Sequence, residues 1–308
     1  MERKWDRVRQ LYMPALLCTA LWGSAAPCIK KGYELFQIPA GETFSQLLFA
    51  GWRFALAGVL VLIVAKIKGN RICPVRSEWK PIFMISLFQS MIQYVFYYIG
   101  LSATTGTKGA VLSGTQTFFA LIFAHIFLKN DKLNRQKVIG CVCGFAGVLV
   151  LGLGGLNGFN VRGDLMVLLS AMSAGAGALV SRIYTPGRDP MLLTGWQLLL
   201  GGLFLGAVGM VGGGQLGAVV PLGVLLLGYM IVLSAAAFTI WTALLGKFPV
   251  GRVSIFGFSI PLFGAIFSAL LLRENIFTLR NMAALLLVSG GIAIANRVRE
   301  SKADAPQA

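Results

Sequence analysis

The chain is predicted to be an all-α integral membrane protein, with ten transmembrane helices arranged as two inverted five-helix repeats. Composition is the first ground for this. Of 308 residues, 56% are hydrophobic and only 12% charged, against roughly a quarter charged in soluble globular proteins. The second ground is distribution: the few charges cluster, leaving apolar intervals that exceed the ~18 residues needed to read as a membrane-spanning helix. The third is an internal repeat. Trp52-Arg53-Phe54 with Gly58 returns 144 positions later as Trp196-Gln197-Leu198 with Gly202. At a spacing of 143, Gly114 answers to Gly257, Gln116 to Ser259, Asp131 to Glu274 and Gly147 to Gly290. Self-similarity of this kind governs the whole architecture. The alternating decamers of a membrane barrel are absent.

Taken in order, the expected spans are 12–31, 45–66, 81–103, 106–128 and 137–156, then 163–183, 192–212, 221–245, 250–272 and 277–296. Residues 1–9 carry Arg3, Lys4, Arg7 and Arg9 ahead of the first apolar stretch, the outline of a signal peptide, with Gly23-Ser24-Ala25-Ala26 as its cleavage region. The stretch runs on apolar for nearly 20 residues, however, and the repeat needs a first span, so a retained helix is expected. Gly152, Gly154, Gly155, Asn157 and Gly158 mark the join, dividing the chain into units 1–156 and 157–308. With the N-terminus inside, the cytoplasmic segments hold 20 Lys and Arg and the opposite side 6. That asymmetry places both termini in the cytoplasm. Five spans per unit is an odd number, so the second unit enters the bilayer upside down. Inverted repeats of this kind are an architecture of secondary transporters.

The net charge of +16 does not point to nucleic acid, because Lys and Arg sit in the connections rather than in a basic stripe interleaved with aromatics. The five cysteines are scattered: Cys18, Cys28, Cys73, Cys141 and Cys143. They form no metal spacing and imply no disulfide framework. No cofactor is indicated. One histidine, His125, shallow in the fourth span, and no Asp or Glu in the middle of any span leave no machinery for an intramembrane hydrolase. The same absence argues against a carboxylate proton relay. The partners expected are a small-molecule metabolite and the lipid bilayer, with no obligate protein partner.

Trp22-Gly23 with Pro27, Arg53-Phe54, Gly100-Leu101, Pro261 with Glu274 after it, and Gly290 together resemble the EamA branch of the drug/metabolite transporter superfamily, over essentially residues 12–297. The first half departs from that pattern. Gln116-Thr117-Phe118 stands where a proline matching Pro261 is expected, and Asp131 replaces the usual glutamate. The resemblance implies a central cavity walled mainly by spans one, three, four, six, eight and nine. It also tilts the expected direction toward export.

Several residues are candidates for that cavity, each with a plainer role beside it. Gln89, Gln93 and Tyr97 are spaced by four and would share one helical face. They are either a hydrogen-bonding wall or interhelical glue. Gln116 lies near Ser113 and Thr117, and its repeat mate Ser259 sits at the matched position of the other half. Trp22 and Trp241 lie inside their spans and could stack on a solute or simply fill the core. Thr239 adds a hydroxyl near Trp241, and Gly23 and Pro27 would let the first span bend. Arg53 is the one fixed charge well inside a span. It is read as a structural pairing, with carbonyls or with Glu274. The cavity candidates carry no cation, so a small neutral or zwitterionic, amino-acid-like metabolite is expected. It would cross the bacterial cytoplasmic membrane by alternating access; a channel-like conductor of small solutes or ions is the alternative.

Overall fold

Long runs of Leu, Val, Ala and Gly offer the backbone no partners in hydrocarbon but its own, so the chain satisfies its peptide groups by forming helices. A computed structural model describes residues 8–39, 41–104, 109, 112–152, 160–217, 220–272 and 279–296, and every regular element among them is helical. A π turn at Val8–Tyr12 leads into α1 (Met13–Leu35), followed by α2 (Thr43–Ile67) and α3 (Arg76–Ala103). Then come α4 (Gln116–Phe127), α5 (Arg135–Gly152), α6 (Val161–Tyr184), α7 (Pro190–Val211) and α8 (Pro221–Lys247). The ninth, α9, is composite: a helical turn Val250–Ser254, a 3-10 turn Ile255–Phe258 and a helix Ser259–Leu272. The last, α10, is Leu279–Ala295.

Among the described residues, six helices are long and apolar enough to cross a membrane: Arg9–Leu35, Thr43–Ile67, Arg76–Ala103, Val161–Tyr184, Pro190–Val211 and Pro221–Lys247. Leu112–Phe127, Val250–Gly264 and Met282–Ala295 are apolar but shorter. This is a multi-pass membrane protein. Helix α3 begins five residues ahead of its expected start at 81 because Glu78 caps it. Its carboxylate accepts the Val75 backbone N–H at 2.8 Å and pairs with Arg71 at 2.7 Å.

Packing follows the repeat. Helix α2 lies along α7 and α5 along α10, so each of these pairs joins a helix to its own repeat mate. Helix α3 packs on α6 as α8 packs on α1, and α4 packs on α6 as α9 packs on α1. Exchanging the first five helices for the second five maps these pairs onto one another. Association inside a bilayer gains little from the hydrophobic effect and depends on close approach of small residues. At the α2–α7 contact the repeated glycines provide that approach: a Cβ on Gly51 would lie 2.5 Å from Gly206 N, and one on Gly202 would lie 2.8 Å from Gly51 O. The other face of α2 carries Trp52, Leu56, Val59 and Ile63, all exposed, in the i, i+4, i+7 pattern of a lipid-facing stripe. Gly23 has a packing role too, since a Cβ there would meet Phe263 and the Gly264 backbone of α9.

The connections gather at two ends. At one end Asn70 donates to Asp189 at 2.8 Å, Arg182 donates to Gly246 O at 2.8 Å, and the Gly251 N–H donates to Asp131 at 3.1 Å. At the other, Gly217 N–H donates to Phe36 O at 2.9 Å, and Asn160 donates to Ala103 O at 2.7 Å. The basic connections expected in the cytoplasm share the first end.

Candidate functional site

Three helices leave the α-helical path near the middle of the bundle. In α3 the segment Leu87–Ile92 is a π-helix, a deviation that often accompanies function. It breaks the i, i+4 register on which Gln89, Gln93 and Tyr97 were expected to share a face. Gln89 is buried and turns to α6, where Ser181 donates to its Oε1 at 3.5 Å, the long limit of a hydrogen bond. Gly177 of α6 makes room for it: a Cβ there would lie 3.1 Å from Gln89 Cβ. Gln93, the first residue beyond the π segment, is half-buried. Tyr97, one turn on, is half-buried and meets Tyr94 and Tyr98 edge-on with centroids 6.3 and 5.9 Å apart.

The other two breaks fall at repeat mates. Residues 112–114 are helical, Thr115 makes a turn, and α4 restarts at Gln116. In the second half the 3-10 turn Ile255–Phe258 precedes the restart at Ser259. Side-chain hydroxyls beside the breaks bond to main-chain carbonyls of the adjoining turns. Thr115 Oγ1 donates to Leu112 O at 2.5 Å, Thr117 Oγ1 donates to Ser254 O at 3.1 Å, and Ser259 Oγ donates to Phe256 O at 2.7 Å. Ser259 is buried, and its Oγ also lies 2.8 Å from Thr19 Oγ1 of α1. Gln116 stays half-buried beside the gap left by Gly257, whose Cβ would lie 3.6 Å from Gln116 Nε2.

Trp22 of α1 connects the two largest apolar clusters. Its ring meets Phe238 at 5.4 Å and Trp241 at 5.1 Å, both edge-on, and Trp241 itself is buried. Phe238 lies 5.9 Å from Phe54, whose ring is tilted 50° to that of Tyr94 with centroids 4.6 Å apart. A row of rings thus links the predicted Trp22, Trp241 and Tyr97. Trp22 Nε1, Ser113 Oγ and Thr239 Oγ1 are three of nine buried side-chain atoms with no hydrogen-bond partner among the described residues.

Arg53 is 2% exposed. Among the described residues its hydrogen-bond partner is a serine: Nε–H donates to Ser234 Oγ at 2.8 Å, Ser234 donates on to Met230 O at 2.8 Å, and the guanidinium carbon stands 4.9 Å from the Phe54 ring centroid. Glu274, the alternative partner, lies outside the described residues. His125 is exposed at one end of α4, where its Nδ1 accepts from Leu133 N–H at 3.2 Å. The Ser234 pairing, Phe238 and Tyr94 were not among the sequence candidates. The 144-residue spacing held a signal for the first, since Ser90 and Ser234 are themselves repeat mates.

No group of three or more His, Cys, Asp or Glu positioned to hold a metal occurs among the described residues. The breaks at mate positions, the polar atoms beside them and the self-matching helix pairs are those of a membrane transporter built from two related halves. The EamA-like transporter family matches the chain twice, over residues 11–153 and 161–297, and the chain belongs to that family. It is 29% identical to the uncharacterized transporter YvbV of Bacillus subtilis, over 81% of this chain and 82% of that protein. It is 27% identical to the uncharacterized inner membrane transporter YedA of Escherichia coli, over 68% of this chain and 65% of that one. A chloroplastic WAT1-related protein of Arabidopsis thaliana is 26% identical, over 85% of this chain and 64% of its own length. A solved crystal structure superposes with a TM-score of 0.76 at 17% identity, over 92% of this chain and 95% of that one, a likeness of fold.

Proposed function

We propose that the protein is a ten-span permease of the bacterial cytoplasmic membrane whose halves, residues 1–156 and 157–308, are inverted five-helix repeats. It moves small neutral or zwitterionic, amino-acid-like metabolites outward by alternating access. The observation that carries this reading is the pair of helix restarts at Gln116 and Ser259, mates across the repeat. Discontinuous helices at matched positions of two halves are how transporters expose backbone dipoles to a solute near the bilayer midplane. Trp22, Gln93, Tyr97 and Gln116 are the leading solute contacts, with Gln89, Trp241 and Ser259 supporting them from behind through the contacts described above. Flux is driven by the solute's own gradient, since no mid-span carboxylate is at hand to relay a proton.

Proteoliposome uptake screened over the amino acids tests this. Gln93→Ala and Gln116→Ala are each expected to cut uptake of the preferred solute about tenfold, the weight of one lost hydrogen bond to a partly charged ligand. Wild-type uptake retained by both variants would refute the site assignment. Orientation has its own test in Cys73, an exposed thiol on the basic connection between α2 and α3. A membrane-impermeant maleimide should leave it unlabelled in intact cells and label it after permeabilisation. Labelling in intact cells would put that connection, and with it the termini, on the outside.

A further inference from the structure

Arg53 lies ten residues into the 25-residue helix α2. At ~1.5 Å per residue that is about 15 Å deep, the middle of a ~30 Å hydrocarbon core. A cation held there is costly and is kept where it has work to do.

The repeat separates its structural work from the rest. Arg53 donates to Ser234, and its mate Gln197 donates through Nε2 to Ser90 Oγ at 3.2 Å. Both members of the second pair sit 144 residues from both members of the first. The same bridge, from the second helix of one half to a serine on the third helix of the other half, is thus made once by a guanidinium and once by a neutral amide. An amide suffices for the bridge. The positive charge of Arg53 is surplus to it, and among the described residues the guanidinium's two terminal nitrogens meet no carboxylate or carbonyl. The ion pairs among those residues lie elsewhere, at Lys31–Glu34, Arg71–Glu78 and Lys137–Asp131.

Arg53 also borders the row of rings described above. Phe54, over which its guanidinium sits, touches both Tyr94 and Phe238, and Phe238 touches Trp22.

We propose that Arg53 is the anchor for the carboxylate of the transported solute. The assignment rests on the permease reading and narrows its substrate to monocarboxylates that carry an apolar or amide-bearing remainder, amino acids foremost. A planar guanidinium offers two parallel N–H donors to a carboxylate, an arrangement that an ammonium or an amide cannot reproduce. Ser234 occupies Nε and leaves the terminal pair for the ligand. The aromatic row then receives the solute's side chain. With one mid-span cation, a second carboxylate or a phosphate finds no counter-charge.

The test uses the purified full-length protein, with phenylalanine and leucine each compared with its amide, phenylalaninamide and leucinamide, above the pH at which the amide's amine is neutral. Thermal stabilisation in detergent reads binding without requiring transport, and competition in proteoliposomes reads transport. The wild type is expected to prefer the acid over the amide by at least about tenfold in both. Arg53→Gln, which copies the residue of the other half and keeps a donor for Ser234, should fold and lose that preference. Arg53→Lys should retain part of it. The assignment fails if Arg53→Gln keeps both its KM and its acid-over-amide preference. It also fails if the wild type, with no variant involved, shows no acid preference across the twenty amino acids and the two amides. Failure of the permease reading is distinct: it appears as no uptake of any solute while acid-selective stabilisation persists.

Discussion

Gly202→Val is expected to abolish folding. A Cβ at this position falls against the Ala55 backbone nitrogen and 2.8 Å from Gly51 O. Both neighbours are main chain, and neither can turn aside as a side chain would. Two branched methyl groups must therefore push α7 away from α2, and every small-residue contact along that pair opens with it. Overpacking a core costs about 1–3 kcal/mol when side chains can adjust, and more when they cannot. Here the loss should be at least about 3 kcal/mol, because van der Waals contact is the main force between helices in lipid. The internal control is Gly206→Ala, on the same helix one turn away, where the nearest atom to an added Cβ is Gly51 Cα at 3.9 Å. Melting of the detergent-solubilised protein should fall out of range for the valine variant and stay near wild type for the alanine variant. Equal melting of Gly202→Val and wild type would contradict the packing described for α2 and α7.

The second large effect is expected at Asp131, which closes one end of the bundle. Its side chain is 5% exposed and pairs with Lys137 at 2.5 Å, while its other oxygen accepts the Gly251 N–H at 3.1 Å in the first turn of α9. A carboxylate there answers the partial positive charge of the helix start. It also joins the α4–α5 connection of the first half to the broken helix of the second. Asp131→Ala leaves Lys137 buried without its counter-ion, a loss of about 3–5 kcal/mol for pairs of this kind. The paired change Asp131→Asn with Lys137→Met removes both charges and keeps an acceptor for Gly251. Its stability should recover most of the loss, because the damage comes from the unpaired charge and not from the absence of the pair. A double-mutant cycle on thermal unfolding reads this coupling. Additive losses would mean that the two groups are solvated separately.

Much of this arrangement was open to reading from residue order. The echo of Trp52-Arg53-Phe54 and Gly58 in Trp196-Gln197-Leu198 and Gly202 foretold a duplicated unit, and the echoing glycines turned out to be the contact between the two copies. What escaped had physical causes. Leu87–Ile92 contains neither Gly nor Pro, so nothing local announces the π turn that separates Gln89 from Gln93. It forms where α3 meets α6, a contact that spacing within one helix does not reveal. The partners of Ser259, Thr19 and Phe256 O, are set by a distant helix and a helix restart, which residue order alone does not reveal. For Arg53, pairing with carbonyls or with Glu274 is what a lone intramembrane cation ordinarily suggests, and Glu274 lies outside the described residues. The serine it holds became visible as a partner only once α8 was laid beside α2. Asp131 and Glu274 were recognisable as mates, yet the N–H that Asp131 accepts comes from Gly251, 120 residues away, and reaches it only through the fold.

In the permease proposed above, a polar site between two related halves opens to one face of the membrane at a time. Counterflow measures this directly: proteoliposomes loaded with an unlabelled amino acid are diluted into a trace of the same solute carrying a label. Alternating access predicts a transient accumulation of label that saturates with solute and survives collapse of the proton gradient. Label that only equilibrates, at a rate rising without limit as solute is raised, would contradict it and show an open conduit instead.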